Sequence, residues 1–186
     1  MQRVSGEVFL AVREAAQKLR PQGAPKLTYI YTSGVWVHGD SRTEIFTDTT
    51  PIRSPVPIFT WRPEREQLIL KDQILNGIVI RPAFVYGRSA SHFGALFKAA
   101  SEDRLSYPGT PGARVSGLHT DDLADLYVRA TEKAAICGGL AFDAATDITE
   151  SIDDVLTALV KVSGATGYAY TKPTNGMSSS FDWTFP

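Results

Sequence analysis

Helix-like and strand-like segments alternate along this chain, and the alternation limits the folds that it can adopt. Residues 4–20 have the apolar spacing of an amphipathic helix, and residues 27–32 are β-branched and aromatic, as in a strand. Residues 78–80 are wholly apolar, which is typical of strands buried in parallel sheets. Because such alternation is typical of a sheet covered by helices, the pattern predicts an α/β fold with a mainly parallel sheet.

The first two helices have recognisable faces and ends. The first helix is amphipathic by spacing, with one face formed by Val8, Val12, Ala15, Ala16 and Leu19. Pro63 suits the first turn of the second helix, and the Asn-Gly pair at residues 76–77 is predicted to end it before the next strand.

The second half of the chain continues the alternation. Its predicted elements are a helix over residues 91–100, a Gly/Pro-rich turn over 107–112, a short segment over 113–118, a helix capped by Thr120, a strand over 140–143, and a final helix that Thr149 caps and Gly164 ends. We expect one domain over residues 1–170, followed by an irregular tail over 171–186.

Composition narrows the class of protein. The formal net charge is -1, from 19 basic and 20 acidic residues without a long run of one sign, so nothing indicates binding to nucleic acid or to an anionic membrane. A single cysteine, Cys137, fits a reducing compartment, and no segment has the length and apolarity of a membrane span. His38, His92 and His119 are not at metal-ligand spacing. We expect a cytoplasmic protein with no metal site.

Four segments in order carry a resemblance to a known family. They read Y-I-Y-T-S-G-V-W-V-H-G-D at residues 29–40, I-R-P-A-F-V-Y-G-R at 80–88, L-H-T-D-D-L-A at 118–124, and F-D-A-A at 142–145. Together they resemble the S-S-x-x-V-Y-G-D, R-P-x-x-V-Y-G, V-H-V-x-D-h-A and F-N-x-A segments of extended or atypical short-chain dehydrogenases/reductases of the NAD-dependent epimerase/dehydratase type, h being any apolar residue. The resemblance covers residues 1 to about 165.

The resemblance implies a fold, a cofactor and a site. The fold would be part of a Rossmann-type, doubly wound sheet, with the elements after residue 88 forming a smaller substrate-side lobe. The cofactor would be NAD or NADP. Its nicotinamide end would lie between two groups of residues, namely Thr32, Ser33 and Gly34 on one side and Pro82, Ala83, Phe84 and Val85 on the other.

The glycine-rich turn that holds the pyrophosphate in this family has no counterpart here. No G-x-G-x-x-G or G-x-x-G-x-x-G turn joins a strand to a helix, and Gly109 and Gly112 have the wrong spacing. By resemblance, the chain begins at the helix before the strand that bears the catalytic Ser or Thr. We therefore expect an N-terminally truncated form of the family's domain.

The family's catalytic residues are also replaced. Aligned by position, Trp61 and Arg65 stand where the family has a Tyr-x-x-x-Lys pair, and Gly34 stands at its Ser/Thr position. Indole is only a hydrogen-bond donor, and Arg stays protonated. Two explanations are open: different or no redox chemistry, which we favour, or a remodelled site in which Ser33, His38 or Tyr86 provides the reacting groups.

Two functions follow from these expectations. The first is an NAD(P)-dependent oxidoreductase or epimerase acting on a small carbonyl, alcohol or sugar-nucleotide substrate. The second is a catalytically inactive fragment or interaction module that lacks the cofactor-binding turn. Unpaired strand edges and an apolar helix face would favour self-association in either case.

Overall fold

The computed structural model describes residues 2–39, 41, 44–88 and 93–172 of the 186-residue chain. Asp40 of the first resembling segment, His92, the first two residues of the helix predicted over 91–100, and residues 173–186 of the predicted tail lie outside the described residues.

Helices and strands alternate as predicted. In chain order, the elements are α1 (Gln2–Leu19), β1 (Leu27–Thr32), 3₁₀ turns at Val35–Val37 and Pro57–Phe59, α2 (Arg62–Leu70), β2 (Leu75–Pro82), β3 (Phe84–Tyr86), α3 (Gly94–Ser101), β4 (Ser106–Pro108), β5 (Arg114–His119), α4 (Thr120–Glu132), α5 (Ala134–Cys137), β6 (Ala141–Ala144), β7 (Thr149–Ser151), α6 (Ile152–Ser163) and β8 (Ala169–Thr171).

A three-stranded parallel sheet in the order β1-β2-β6 forms the centre of the fold. One cluster of buried side chains contains Phe9 of α1, Ile69 of α2 and Val79 of β2. A separate cluster contains Ile80 of β2 and Ala130 of α4. Because Val79 and Ile80 are consecutive strand residues, they point to opposite faces, and both faces of the sheet are covered. The predicted α/β class with a mainly parallel sheet is confirmed.

A smaller lobe has its own strands and core. β3 pairs parallel with β5, β5 pairs antiparallel with β7, and β4 pairs parallel with β8. Its core consists of Leu105, Val115, Ile152, Leu156 and Leu159 with neighbouring side chains. The prediction that all elements after residue 88 build this lobe is wrong, because β6 returns to the central sheet and pairs with β2.

Several element boundaries differ from the predicted ones because tertiary contacts override local signals. Residues 76–77 do not end a helix but lie inside β2, whereas α2 ends at Leu70. The side chain that caps α4 is that of His119, whose Nδ1 accepts the Asp121 amide at 3.2 Å. The cap of α6 is Ser151, not Thr149.

The sequence did not predict four short strands, namely β3, β4, β7 and β8. β4 includes the first residues of the predicted turn over 107–112, and β8 ends at Thr171, the first residue of the predicted tail. Gly164 does end α6, in a left-handed conformation, as expected from its position. Among the described residues, no helix has the length and apolarity required to cross a membrane.

Candidate functional site

A pocket of about 360 Å³ opens where β1 and β2 end. The two strands are parallel, so their carboxyl ends, at Thr32 and Pro82, meet at one edge of the sheet. The pocket is lined by Thr32, Ser33, Gly34, Trp36, Phe59, Arg62, Pro82, Ala83, Phe84, Val85 and Leu123. The structure thus brings all seven residues predicted to hold the cofactor into one cavity, which we call the strand-end pocket.

Two polar atoms of the strand-end pocket have no hydrogen-bond partner within the described part of the chain. They are the buried Oγ of Ser33 and the buried Nε of Arg62. The hydroxyl of Thr32, in contrast, bonds to the hydroxyl of Tyr127 on α4. Because a buried polar group without a partner costs about 1–3 kcal/mol, the two atoms are suited to bind a polar ligand.

The cation in this pocket is Arg62 and not Arg65. A Cβ atom added to Gly34 would lie 2.8 Å from Nη1 of Arg62, so the missing side chain of Gly34 leaves room for the guanidinium. Arg65 is directed to α1 instead, where its Nη2 would lie 2.7 Å from a Cβ added to Gly6. The positional alignment of Arg65 with the family's Lys therefore does not place a cation in the pocket.

The guanidinium of Arg62 lies 4.2 Å from the centre of the Phe59 ring, within range of a cation–π interaction. Burial lowers its pKa below the ordinary arginine value, and the nearby Tyr31 and Glu66 oppose this effect. An arginine nevertheless stays charged near neutral pH, so Arg62 can bind an anion or a hydroxyl but cannot exchange a proton. Trp61 does not line this pocket, and its indole nitrogen donates to the carbonyl oxygen of Ile58.

His38 belongs to a different group of residues. Its Nε2 lies 2.7 Å from Oδ2 of Asp143, whose Oδ1 is 3.2 Å from Nη1 of Arg81. Arg81 in turn binds Glu66 through Nη2 at 2.8 Å. His38 and Asp143 line a second cavity of about 340 Å³, on which Ile45 and the acidic Asp48 also border.

Burial by itself would lower the pKa of Arg81, but the hydrogen bonds and charges of Glu66 and Asp143 outweigh it and raise the pKa. The four side chains therefore form a buried network joining α2, β2, β6 and the segment after β1. Among the described residues, no group of three or more His, Cys, Asp or Glu side chains is arranged to hold a metal ion.

Tyr86 lies in yet another cavity, of about 610 Å³ in the smaller lobe. Its side chain is 38% exposed, and its ring makes an edge contact with that of His119 at 5.4 Å. Ser33, His38 and Tyr86 thus line three different pockets. The structure does not assemble them into one catalytic group, and their assignment as catalytic residues stays a prediction.

The sequence reasoning missed four lining residues of the pocket, and the charged one among them is Arg62; the others are Trp36, Phe59 and Leu123. Glu66 and Ile69 are buried on one face of α2. Arg62 and Arg65 stand at the first two positions of the i, i+3, i+4, i+7 pattern that these residues complete, so both arginines lie along this face. Helical spacing alone therefore could not have chosen between them, and Arg62 enters the pocket because Gly34 leaves room for its guanidinium.

No protein-family model matches the sequence, and no curated protein matches it either. Solved structures do match. The chain is 22% identical to UDP-glucuronic acid 4-epimerase from Bacillus cereus, solved with UDP-glucuronic acid and NAD, with a TM-score of 0.73 over 94% of this chain and 55% of that one.

Two further matches have similar extents. dTDP-glucose 4,6-dehydratase from Bacillus anthracis, solved with NAD, is 20% identical, with a TM-score of 0.72 over 94% of this chain and 60% of that one. A human epimerase family protein with NADPH is 15% identical, with a TM-score of 0.71 over 91% of this chain and 57% of that one.

The chain spans between 55% and 60% of the length of these three proteins. At such identities the likeness concerns the fold, and it confirms the resemblance at that level. The fold of the chain is of the Rossmann type, and it corresponds to a portion of the fold of each of these matched proteins.

Proposed function

We propose that the strand-end pocket binds the nicotinamide end of NAD or NADP in a protein of the short-chain dehydrogenase/reductase type. The observation that carries the proposal is the convergence of all seven predicted cofactor residues, with Arg62, on one cavity at the carboxyl ends of two parallel strands. Ligands of open parallel sheets bind at this edge. The matched structures with bound NAD or NADPH support the same cofactor.

The residues present fit such a ligand. The Ser33 hydroxyl and the Arg62 guanidinium can bond to carboxamide or ribose oxygens, and Ala83 and Phe84 supply apolar wall against a ring. When bound, NAD(P) supplies or accepts a hydride. The substrate would be a small carbonyl, alcohol or sugar nucleotide.

A non-catalytic binding role is the second candidate. The polar side chains among the described lining residues are Thr32, Ser33, Trp36 and Arg62, none of which exchanges a proton near neutral pH. Proton transfer coupled to hydride transfer therefore has no donor among the described residues that line this pocket. This observation favours a protein that binds the dinucleotide without the family's chemistry.

Saturation-transfer NMR with NADH tests the binding proposal, because it detects weak binding and reports which end of the cofactor contacts protein. We expect stronger transfer to the nicotinamide protons than to the adenine protons. A pyrophosphate turn is missing from the sequence, so the affinity should be weak, on the order of millimolar. Absence of transfer from the whole chain, or transfer mainly to adenine, would overturn the proposal.

Two neighbouring arginines of α2 provide a matched pair of variants. Arg62→Met removes the cation of the pocket, and Arg65→Met removes a cation that contacts α1 instead. In calorimetric titrations with NADH and NADPH, we expect Arg62→Met to weaken binding roughly tenfold and Arg65→Met to change it by less than about twofold. Equal effects of the two substitutions would contradict the placement of the ligand.

A further inference from the structure

A further cavity lies in the smaller lobe and is distinct from the strand-end pocket. Its volume is about 610 Å³, which is within the usual range for small-molecule sites. Its lining includes the rings of Tyr86, Phe93 and Phe97 and the aliphatic side chains of Val115 and Ile148. We call it the lobe pocket.

The lobe pocket and the strand-end pocket share an aromatic wall. Phe84 lines the strand-end pocket, Phe93 lines the lobe pocket, and their rings stack with centroids 5.7 Å apart. Val85 and Tyr86, consecutive residues of β3, also line one pocket each. A molecule in the lobe pocket would therefore lie beside the ligand proposed for the strand ends.

The charges around the lobe pocket do not suit a diphosphate. The charged side chains among the described lining residues are Arg88 and Glu150, which have opposite signs. Arg88 is already bound to a carboxylate, since its Nη2 lies 2.6 Å from Oδ1 of Asp121. Arg114, the cation on β5, is directed to Thr149, whose hydroxyl oxygen lies 2.6 Å from its Nε, and it does not line the pocket.

A nucleoside diphosphate carries at least two negative charges and needs cationic or amide donors to replace its hydration. The lobe pocket would offer one paired arginine, a carboxylate and apolar walls. A diphosphate that enters the lobe pocket would lose more hydration free energy than its interactions with the pocket provide. An uncharged apolar molecule would lose little hydration free energy.

From these contacts we infer that the lobe pocket binds a compact, uncharged, apolar molecule and not a nucleoside diphosphate sugar. The inference that the lobe pocket is a binding site rests on the pocket alone. The further step, that the bound molecule is the substrate, rests on the proposed function. It narrows the proposed substrate class from small carbonyls, alcohols and sugar nucleotides to an apolar carbonyl or alcohol.

Fluorescence titration with N-phenyl-1-naphthylamine, a neutral apolar dye, tests the inference on the whole chain. We expect saturable binding of one dye per chain, with a dissociation constant on the order of 10 µM. Uridine diphosphate at millimolar concentration should not displace the dye. Displacement by uridine diphosphate, or binding of several dyes per chain, would overturn the inference.

Two variants locate the dye. Phe97 is 55% exposed at the mouth of the pocket, so Phe97→Ala should preserve the fold and weaken dye binding roughly fivefold. Ile136→Ala, at an exposed apolar residue of α5, is the control and should leave the affinity unchanged. Equal affinity of Phe97→Ala and the unmodified chain would place the dye elsewhere and contradict the proposal.

The dye titration contains no dinucleotide, so its result is independent of the NADH experiment. If NADH does not bind but the dye does, the proposed function is refuted and the apolar binding site is retained. If NADH binds but the dye does not, the proposed function is retained and the narrower substrate class is refuted.

Discussion

Gly77 lies inside β2, where the backbone of α2 passes against it. A Cβ atom there would collide with the carbonyl oxygen of Ile69, which belongs to the backbone and cannot turn aside. Glycine within a strand often marks such a close approach of another segment. From sequence alone, the Asn-Gly pair predicts the end of a helix, because glycine is both a local turn signal and the residue that a close packing contact requires.

Gly77→Ala is expected to lower the free energy of unfolding by about 2–3 kcal/mol, because the collision forces α2 away from the sheet. Urea denaturation measures the change. Gly167→Ala is the control, since nothing lies within 4 Å of a Cβ at that exposed position. A Gly77→Ala protein as stable as the control would show that α2 does not pack on β2 in this way.

Asp72 joins the end of α2 to the start of β2. Its Oδ1 accepts the amides of Ile74 and Leu75 at 2.8 and 2.7 Å, and its Oδ2 lies 2.6 Å from Nε of Arg13. Burial by itself would raise the pKa of Asp72, but these hydrogen bonds and the Arg13 charge outweigh it and lower the pKa. The ionised carboxylate is therefore the form that stabilises the folded state.

A lowered folded-state pKa means that the Asp72 contribution is complete above the unfolded pKa of about 4 and is lost as the pH falls through the folded value. We expect Asp72→Asn to cost about 1–2 kcal/mol at neutral pH, and the difference to shrink below about pH 4. Urea unfolding as a function of pH measures this. Asp125→Asn, at an exposed ion pair, is the control, and a pH-independent Asp72→Asn difference would contradict the prediction.

At the scale of elements, one buried charge network joins α2, β2, β6 and the segment after β1. Glu66 of α2 is 0% exposed and Arg81 of β2 is 4% exposed, and they bind each other and, through Asp143 of β6, His38. Arg81 follows the apolar core of β2 directly, so the network sits at the carboxyl end of the sheet. Sequence reasoning treated Arg81 as part of a resembling segment and missed its partner Glu66.

Removing one partner of this network leaves a charge buried with too few partners. We expect Glu66→Gln to lower the free energy of unfolding by about 3–5 kcal/mol, measured by urea denaturation. Glu64→Gln, at an exposed position on the same helix, should cost less than about 0.5 kcal/mol. Equal stabilities of the two variants would show that the Glu66–Arg81 pair does not form.

At the scale of the whole molecule, the chain presents apolar side chains that its own fold does not cover. On α1 these include Val4, Leu10 and Leu19, which are 57%, 59% and 80% exposed. Among the described strands, β1 pairs only with β2, so its other edge has no strand beside it. Exposed apolar patches and unpaired strand edges promote association.

The prediction of self-association follows from this surface. Sedimentation velocity should show association that increases from micromolar to submillimolar concentration, and Leu10→Glu should reduce it by introducing a charge among the exposed apolar residues of α1. Val162→Glu, at an exposed apolar residue of α6, is the control. A chain that stays monomeric over this range would refute the prediction.

The amino-acid sequence by itself determined the class of fold, the position of β1 and the two segments that line the strand-end pocket. Apolar runs, Pro and Gly determine local secondary structure within a few residues. The carboxyl ends of parallel strands lie at one edge of the sheet, whatever side chains pack around them. The family resemblance implies that Ser33 and Ala83 are neighbours, and the parallel pairing of β1 with β2 brings both to that edge.

Only the tertiary structure decided which side chains meet. Helical spacing puts Val8, Val12, Ala15, Ala16 and Leu19 on one face of α1. Ala16 is buried, but so is Phe9, at 4% exposed, while Val8 is 49% and Leu19 is 80% exposed. In the same way, Arg62 and not Arg65 enters the strand-end pocket, and His38 and Tyr86 turn to other cavities. Each choice depends on residues distant in sequence, such as Gly34 beside Arg62, and local patterns carry no information about them.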